Sequence, residues 1–439
     1  MATDADVRAA EIVRYPIDLS LPDGPPAFLA DAADAVKQEY RNSVKWKRLR
    51  CRAVSPVVEK DGEAIFVLEI GQSIEFDWTW EGSLAFRPGD MDSFEGNGYA
   101  SNGFFGPQED AEAGAWSGEV VEVDEVNGRI FVWVSDPDCP PTTGSFFVRP
   151  FEFLAFLHSI YCDPANAELR ELLPARLNAC RGEIHPPTVA SGQPSLPQLQ
   201  GVWDHQWGVL WGPPGTGKTY TIGQQIAACL DDPSERILIV STTNKATDEA
   251  ALSCGRAARD RGLSAISDGK ILRIGKSAHY SMFEEQGFLE LLKGTETDLL
   301  HQISVLTKQL HKASTHEEKA VLRQQIQAFR RQMKDASFNI FTSEDVKVVL
   351  ATSFKAITLL NDGEIRSAIC EGSTPFTTVI IDEAGLISRA TAAALSLLAS
   401  RRVVLAGDPK QLAPISKISR ILPTNQATWL ASSALNHLR

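Results

Sequence analysis

GPPGTGKT at residues 212–219 is the stretch on which the fold turns. It follows a short apolar run, GVLW at 208–211, and precedes a helical stretch at 220–230, so strand, glycine-rich loop and helix succeed one another. Glycine is needed in such a loop because backbone N–H groups must converge on phosphate oxygens without a Cβ in the way, and the helix that follows adds its positive end. Gly212, Pro213, Pro214, Gly215, Thr216 and Gly217 form the cradle. Lys218 supplies a point charge to β- and γ-phosphates, and the Thr219 hydroxyl completes a Mg²⁺ shell. ATP and Mg²⁺ are the ligands this pattern predicts.

Working outward, ILIV (237–240), VVLA (348–351), TVII (378–381) and VVLA (403–406) repeat the short apolar, β-branched run, each leading into a loop. Such short, nearly continuous apolar runs predict parallel strands buried on both faces, with helices covering each side. One of them ends in the acidic pair of TVIIDEAG (378–385). Asp382 at a strand end can hold Mg²⁺, and Glu383 beside it can orient and deprotonate an attacking water. Another opens VVLAGDPKQLAPI (403–415), which carries Gln411, a neutral amide able to bond a γ-phosphate and report its loss. The first two motifs suit AAA+ ring ATPases equally well. The third motif, and the separation of 164 positions from Lys218 to Asp382, point elsewhere.

That interval holds a long insertion at about 284–345. Leu299, Ile303, Leu306 and Leu310 step by four, three and four, as do Leu322, Ile326, Phe329 and Met333. Each run is an a/d seam, and Thr315 with Glu318 between them fits a capping box, so an antiparallel helical hairpin is predicted, either projecting as an arm or folded onto the core.

The N-terminal half reads differently. Residues 1–44 form a polar leader with an amphipathic helix at about 26–40, and 45–161 are rich in short strands. Ile74, Phe76, Trp78 and Trp80 alternate with polar residues, and the runs 118–123 and 129–135 flank Asn127 and Gly128, a tight-turn pair. A small β-barrel is predicted, a docking module for nucleic acid or protein. Residues 75–125 carry 13 acids against Arg87 alone, which disfavours the first of these partners for the barrel, while the rest of the chain is nearly neutral and open to a polyanion. A basic run, Lys37, Arg41, Lys45, Lys47, Arg48, Arg50 and Arg52 against Glu39, reads as a solvated face. Residues 162–200 are a helical segment and a proline-rich linker, and 201–439 the ATPase domain. Seven scattered cysteines without a CxxC pair argue against a disulfide framework, zinc finger or iron–sulfur cluster. No apolar run is long enough to span a membrane, and the first ten residues, with two aspartates, lack a secretory pattern, so a cytoplasmic location is expected.

GPPGTGKT, IDEAG (381–385) and GDPKQLAP (407–414) match motifs I, II and III of the superfamily 1 helicases, and the sequence resembles the branch that includes the nonsense-mediated-decay RNA helicase and its DNA-processing relatives. STTNKATDEA (241–250) is similar to motif Ia and ATSFKAI (351–357) to the next strand-end motif. The resemblance implies a RecA-like parallel sheet preceded by a β-barrel, and single-stranded DNA or RNA held along its backbone by Thr243, Asn244, Thr352 and Ser353. Residues of this type also cap loops. It implies adenine recognition near Leu196 and Gln200, with Gln200 closer to the phosphate loop than the family pattern. Leu386 stands where the family usually has glutamine. Because the sequence ends at Arg439, just past motif III, the expectation is a motor lobe that hydrolyses ATP weakly unless a protein partner supplies a second RecA-like lobe. The alternatives are a nucleotide-dependent switch or scaffold for a protein partner without unwinding activity, and an AAA+ ring.

Overall fold

The computed structural model describes residues 11–13, 25–43, 47–51, 53–60, 63–70, 103–106, 119–124, 127–135, 144–148, 153–178, 203, 206–277, 279–408, 410 and 412–437. The alternating run at 74–80, the proline-rich stretch at 182–199, Gln200 and Gln411 lie outside them. Two compact units emerge, one of residues 1–43, 153–301 and 335–439, the other of 44–152 and 302–334.

In chain order the first elements are β1 (Glu11–Val13) and α1 (Pro25–Ser43). Then come the strands of the second unit: β2 (Lys47–Cys51), β3 (Ala53–Lys60), β4 (Glu63–Glu69), β5 (Gly103–Gly106), β6 (Glu119–Asp124), β7 (Arg129–Ser135) and β8 (Gly144–Val148). They form two antiparallel sheets, β2-β8-β5 and β3-β4-β7-β6. Asn127 and Gly128 turn β6 into β7, with Gly128 at φ 65°, a conformation glycine reaches without a Cβ clash. The β-rich segment ends there: residues 153–162 are helix α2 (Phe153–Cys162), followed by α3 (Ala167–Asn178).

The first unit is built on a sheet ordered β1-β9-β14-β13-β10-β12-β11. Its members are β9 (Trp207–Trp211), β10 (Ile237–Ser241), β11 (Ile271–Arg273), β12 (Val348–Thr352), β13 (Phe376–Ile381) and β14 (Ala399–Gly407), all parallel, with β1 antiparallel against β9. Burial explains why the runs are apolar throughout. Leu238 and Val240 of β10 join one core cluster, with Val349, Val379 and Leu405, whereas Ile237 and Ile239 join the other, with Leu350, Ile380 and Val404. Successive side chains leave a strand on opposite faces, so both faces must be covered.

Helices α4 (Lys218–Cys229), α5 (Asn244–Asp260) and α6 (Tyr280–Gln286) cover the second face, contributing Ile222, Ile226, Leu252 and Phe283. Helices α9 (Ser353–Leu360), α10 (Gly363–Cys370) and α11 (Arg389–Ser396) cover the first, together with α1 and α2 through Ala32, Ala35, Val36, Leu157 and Ile160. Residues 11–13 and 25–43 of the leader are thus integrated into the sheet and its core. Between β11 and β12 lie two long helices, α7 (Glu296–Lys312) and α8 (His316–Thr342). The capping box forms at the start of α8: the Glu318 amide donates to Thr315 Oγ1 at 3.2 Å, and the Thr315 amide to Glu318 Oε2 at 3.4 Å. Leu299, Ile303 and Ile326 of the seams are buried. Helix α12 (Thr424–Ala431) is followed by a 3₁₀ turn at Ala434–His437, where the described residues end. Among the described residues, no helix is long and apolar enough to cross a membrane.

Candidate nucleotide and strand site

Because β9, β10, β12, β13 and β14 run parallel, the loops after them emerge at one edge of the sheet, where open α/β sheets bind ligands. The phosphate loop leaves β9 there, its Gly212 amide donating to Gly407 O at 3.2 Å. Gly215 and Gly217 take φ of 77° and 82°, and a Cβ at either would meet only open space. The N-terminus of α4 follows directly, capped by no side chain, as an anion site requires. Lys218 Nζ donates to Gly212 O at 2.5 Å and Pro213 O at 3.0 Å, so the loop's own carbonyls hold the ammonium across the cradle. Burial pushes the Lys218 amine below its ordinary range, opposed by the nearby acids Asp382, Asp408 and Glu383.

Asp382, at the end of β13, is 3% exposed and accepts the Thr219 hydroxyl at 3.1 Å. Its backbone N–H donates to Val240 O at 2.8 Å, and its other carboxylate oxygen accepts the Glu383 amide at 2.9 Å. Burial lifts the Asp382 carboxyl above its usual range, more than these bonds and Lys218 lower it, a state that a divalent cation would relieve. One carboxylate and one hydroxyl beside a phosphate cradle suit Mg²⁺, which keeps phosphate and water ligands.

Glu383 is, among the described residues, the one non-glycine with positive φ, at 54°. The left-handed conformation costs a non-glycine residue about 1–2 kcal/mol and persists where neighbours over-determine it. Here the neighbours are the Asp382 carboxylate on its amide and Thr242, whose hydroxyl donates to Glu383 Oε2 at 3.1 Å. The loop after β14 is packed against this one. A Cβ on Gly385 would lie 2.8 Å from Asp408 O, so only glycine permits that approach. Asp408 accepts the Lys410 amide at 3.0 Å and Trp211 Nε1 at 3.1 Å, and with the Lys410 N–H bond first these contacts hold its carboxyl below the ordinary range.

Thr243 and Thr352 sit at the ends of adjacent strands, whose register pairs Ser241 with Thr352. Each is an N-cap: Thr243 Oγ1 accepts the Ala246 amide at 3.1 Å, and Thr352 Oγ1 accepts the Lys355 amide at 3.2 Å. A capping hydroxyl still has its own proton to donate, so both can contact a phosphodiester while capping. Asn244 Oδ1 accepts Arg273 Nη2 at 2.9 Å, and Ser353 is buried at the first turn of α9. Sequence reasoning overlooked Thr242, Asp408 and Arg273. Thr242 lies inside the quoted STTN run and Asp408 inside GDPKQ, but the side toward which each points depends on the turn.

Residues 198–418 match a family described as AAA domain. Over 225 residues the chain is 28% identical to DNA polymerase alpha-associated DNA helicase A of Saccharomyces cerevisiae, covering 48% of this chain and 30% of that protein. Over 216 residues it is 26% identical to DNA-binding protein SMUBP-2 of Mesocricetus auratus, covering 47% of this chain and 20% of that protein. The chain thus spans less than a third of the length of either relative.

Proposed function

This chain belongs to the superfamily 1 helicases, in the branch that includes the nonsense-mediated-decay RNA helicase and its DNA-processing relatives, and from that membership we propose that it is an ATP-driven motor lobe acting on single-stranded nucleic acid. The observation that carries the reading is the 3.1 Å bond from Thr219 to Asp382, which joins two motifs 163 positions apart into one site. ATP lies with its phosphates in residues 212–219 and Lys218 on the β- and γ-oxygens. Thr219 and Asp382 would hold Mg²⁺, which when bound would supply positive charge against the phosphates. Glu383 takes the proton of the attacking water, and Gln411 senses the γ-phosphate.

Thr243, Asn244, Thr352 and Ser353 hold the sugar–phosphate backbone, a contact that positions a strand without reading its bases. Single-stranded DNA is the first ligand to test, since the names of both relatives refer to DNA, with RNA as the comparison. Strands β2–β8 form a small barrel-like docking module, supported by their two antiparallel sheets, and α7 and α8 form a helical hairpin, supported by the tight connection at 313–315. The cytoplasm suits cysteines that are free, as Cys162, Cys229, Cys254 and Cys370 are.

The alternative, a nucleotide switch for a protein partner, is favoured by one observation: the Thr243 and Thr352 hydroxyls already serve as helix caps and need no strand to explain them. ATP turnover measured while titrating single-stranded DNA or RNA separates the two. The motor reading predicts strand-stimulated turnover, abolished by Lys218→Ala. Oligonucleotide binding absent at low salt, with ATP bound normally, would establish the switch instead.

A further inference from the structure

A second polar network runs beneath the strand loops, away from the nucleotide. Arg273 is fully buried and donates through Nε to Asp248 at 2.7 Å and through Nη2 to Asn244 at 2.9 Å. Asp248 in turn accepts the Ser277 hydroxyl at 2.9 Å, and the Ser277 amide donates to Thr297 Oγ1 at 2.8 Å, at the root of α7. Beside Thr297, Glu296 accepts the Gly275 amide at 2.9 Å, Lys355 Nζ at 2.9 Å and the hydroxyl of Ser337 on α8. Lys355 is the residue whose amide is capped by Thr352. An unbroken path therefore leads from Asn244, through the roots of both inserted helices, to Thr352.

Two cations and two carboxylates in such a place are costly to bury, and apolar residues of the same volume usually stabilise a fold as well. What charged, forked groups add is a single geometry, because each lone pair and proton has one partner position. Glu296 is the junction: its two oxygens hold α7, α8, the 275–277 loop and α9 in one register.

We propose that Glu296 is a positioning residue that couples the inserted helices to the strand-binding loops. A displacement of α7 or α8 reaches Thr352 through Lys355 and Asn244 through Arg273, so strand affinity depends on the state of the insertion. The inference rests on the strand-binding reading above. Coupling is reciprocal, so a bound strand must stiffen the helix roots.

The test is the full chain carrying Glu296→Gln with Lys355→Met, which removes both charges and keeps one amide oxygen for the Gly275 N–H, while the Ser337 hydroxyl can turn to accept from the amide nitrogen. The expected result is a cooperative fold, unchanged ATP affinity, about tenfold weaker binding of a fluorescent single-stranded oligonucleotide, and an unchanged salt slope, since no phosphate contact is lost. In the unsubstituted chain, oligonucleotide binding should slow amide exchange across 294–300 and 335–339, a measurement that needs no variant to fold. Unaltered strand affinity in the variant, or no slowing at the helix roots, overturns the coupling while leaving strand binding intact. A salt slope lowered by about one shows that Lys355 itself touches a phosphate and overturns the positioning role. Absence of strand binding in the unsubstituted chain overturns this inference and the reading beneath it together.

Discussion

Gly385→Ala places a methyl group 2.8 Å from Asp408 O, where ordinary contact begins at 3.4 Å, so the loops after β13 and β14 must separate by about 0.6 Å. The obstructing atom is backbone, and no side-chain rotation can relieve it. Forced overpacking of this kind costs about 1–3 kcal/mol. The functional cost follows from what the two loops carry: Asp382 and Glu383 on one, Asp408 and Lys410 on the other. A misplacement of 1 Å costs about 10²-fold in rate, so about 0.6 Å corresponds to roughly tenfold in kcat. The phosphate cradle is a separate segment with its own turn, and ATP affinity should change less than threefold. Steady-state hydrolysis beside calorimetric ATP binding reads both quantities on one preparation. Wild-type kcat together with wild-type thermal stability in Gly385→Ala would refute the claim that these loops are packed at the catalytic edge.

Thr242→Val removes the hydroxyl that holds Glu383 and leaves ATP binding untouched. We expect kcat to fall about tenfold with KM for ATP unchanged and Thr242→Ser restoring the rate, and an unaltered kcat would remove Thr242 from the site. For Glu296, burial alone would raise the carboxyl, but Lys355 and the Ser337 bond outweigh it and hold it below the usual 4.5. A carboxyl depressed in the folded state stabilises above its unfolded value and loses that contribution as the pH falls through the folded value. The denaturation gap between the wild type and Glu296→Gln should therefore be full at pH 7 and shrink below about pH 4.5, and a gap constant down to pH 3 would show that the charge contributes nothing.

The chemistry of the phosphate loop was legible because it is local: the glycines, Lys218 and Thr219 act within eight consecutive residues. The five central strands were legible because burial on both faces leaves the runs almost wholly apolar, Thr378 being the exception. Strands β1 and β11 were not, since three residues such as EIV or ILR carry no period. Residues 1–44 read as a leader because the stripe that α1 sets into the core is Ala32, Ala35 and Val36, small side chains with a weak hydrophobic signal. Glu383 gave no sign of its left-handed backbone, for no residue type marks strain in advance. Glu296 reads as an ordinary first-turn acid favoured by the helix dipole. Its burial is decided by Gly275, Ser337 and Lys355, up to 59 positions away in sequence.

Whether the sheet edge is one Mg·nucleotide site is tested most directly by ATP affinity with and without Mg²⁺, in the wild type and in Asp382→Asn. We expect Mg²⁺ to tighten wild-type binding at least tenfold, a gain of about 1.4 kcal/mol, and Asp382→Asn to lose most of it. An equal gain in both proteins, or none in the wild type, would contradict the account.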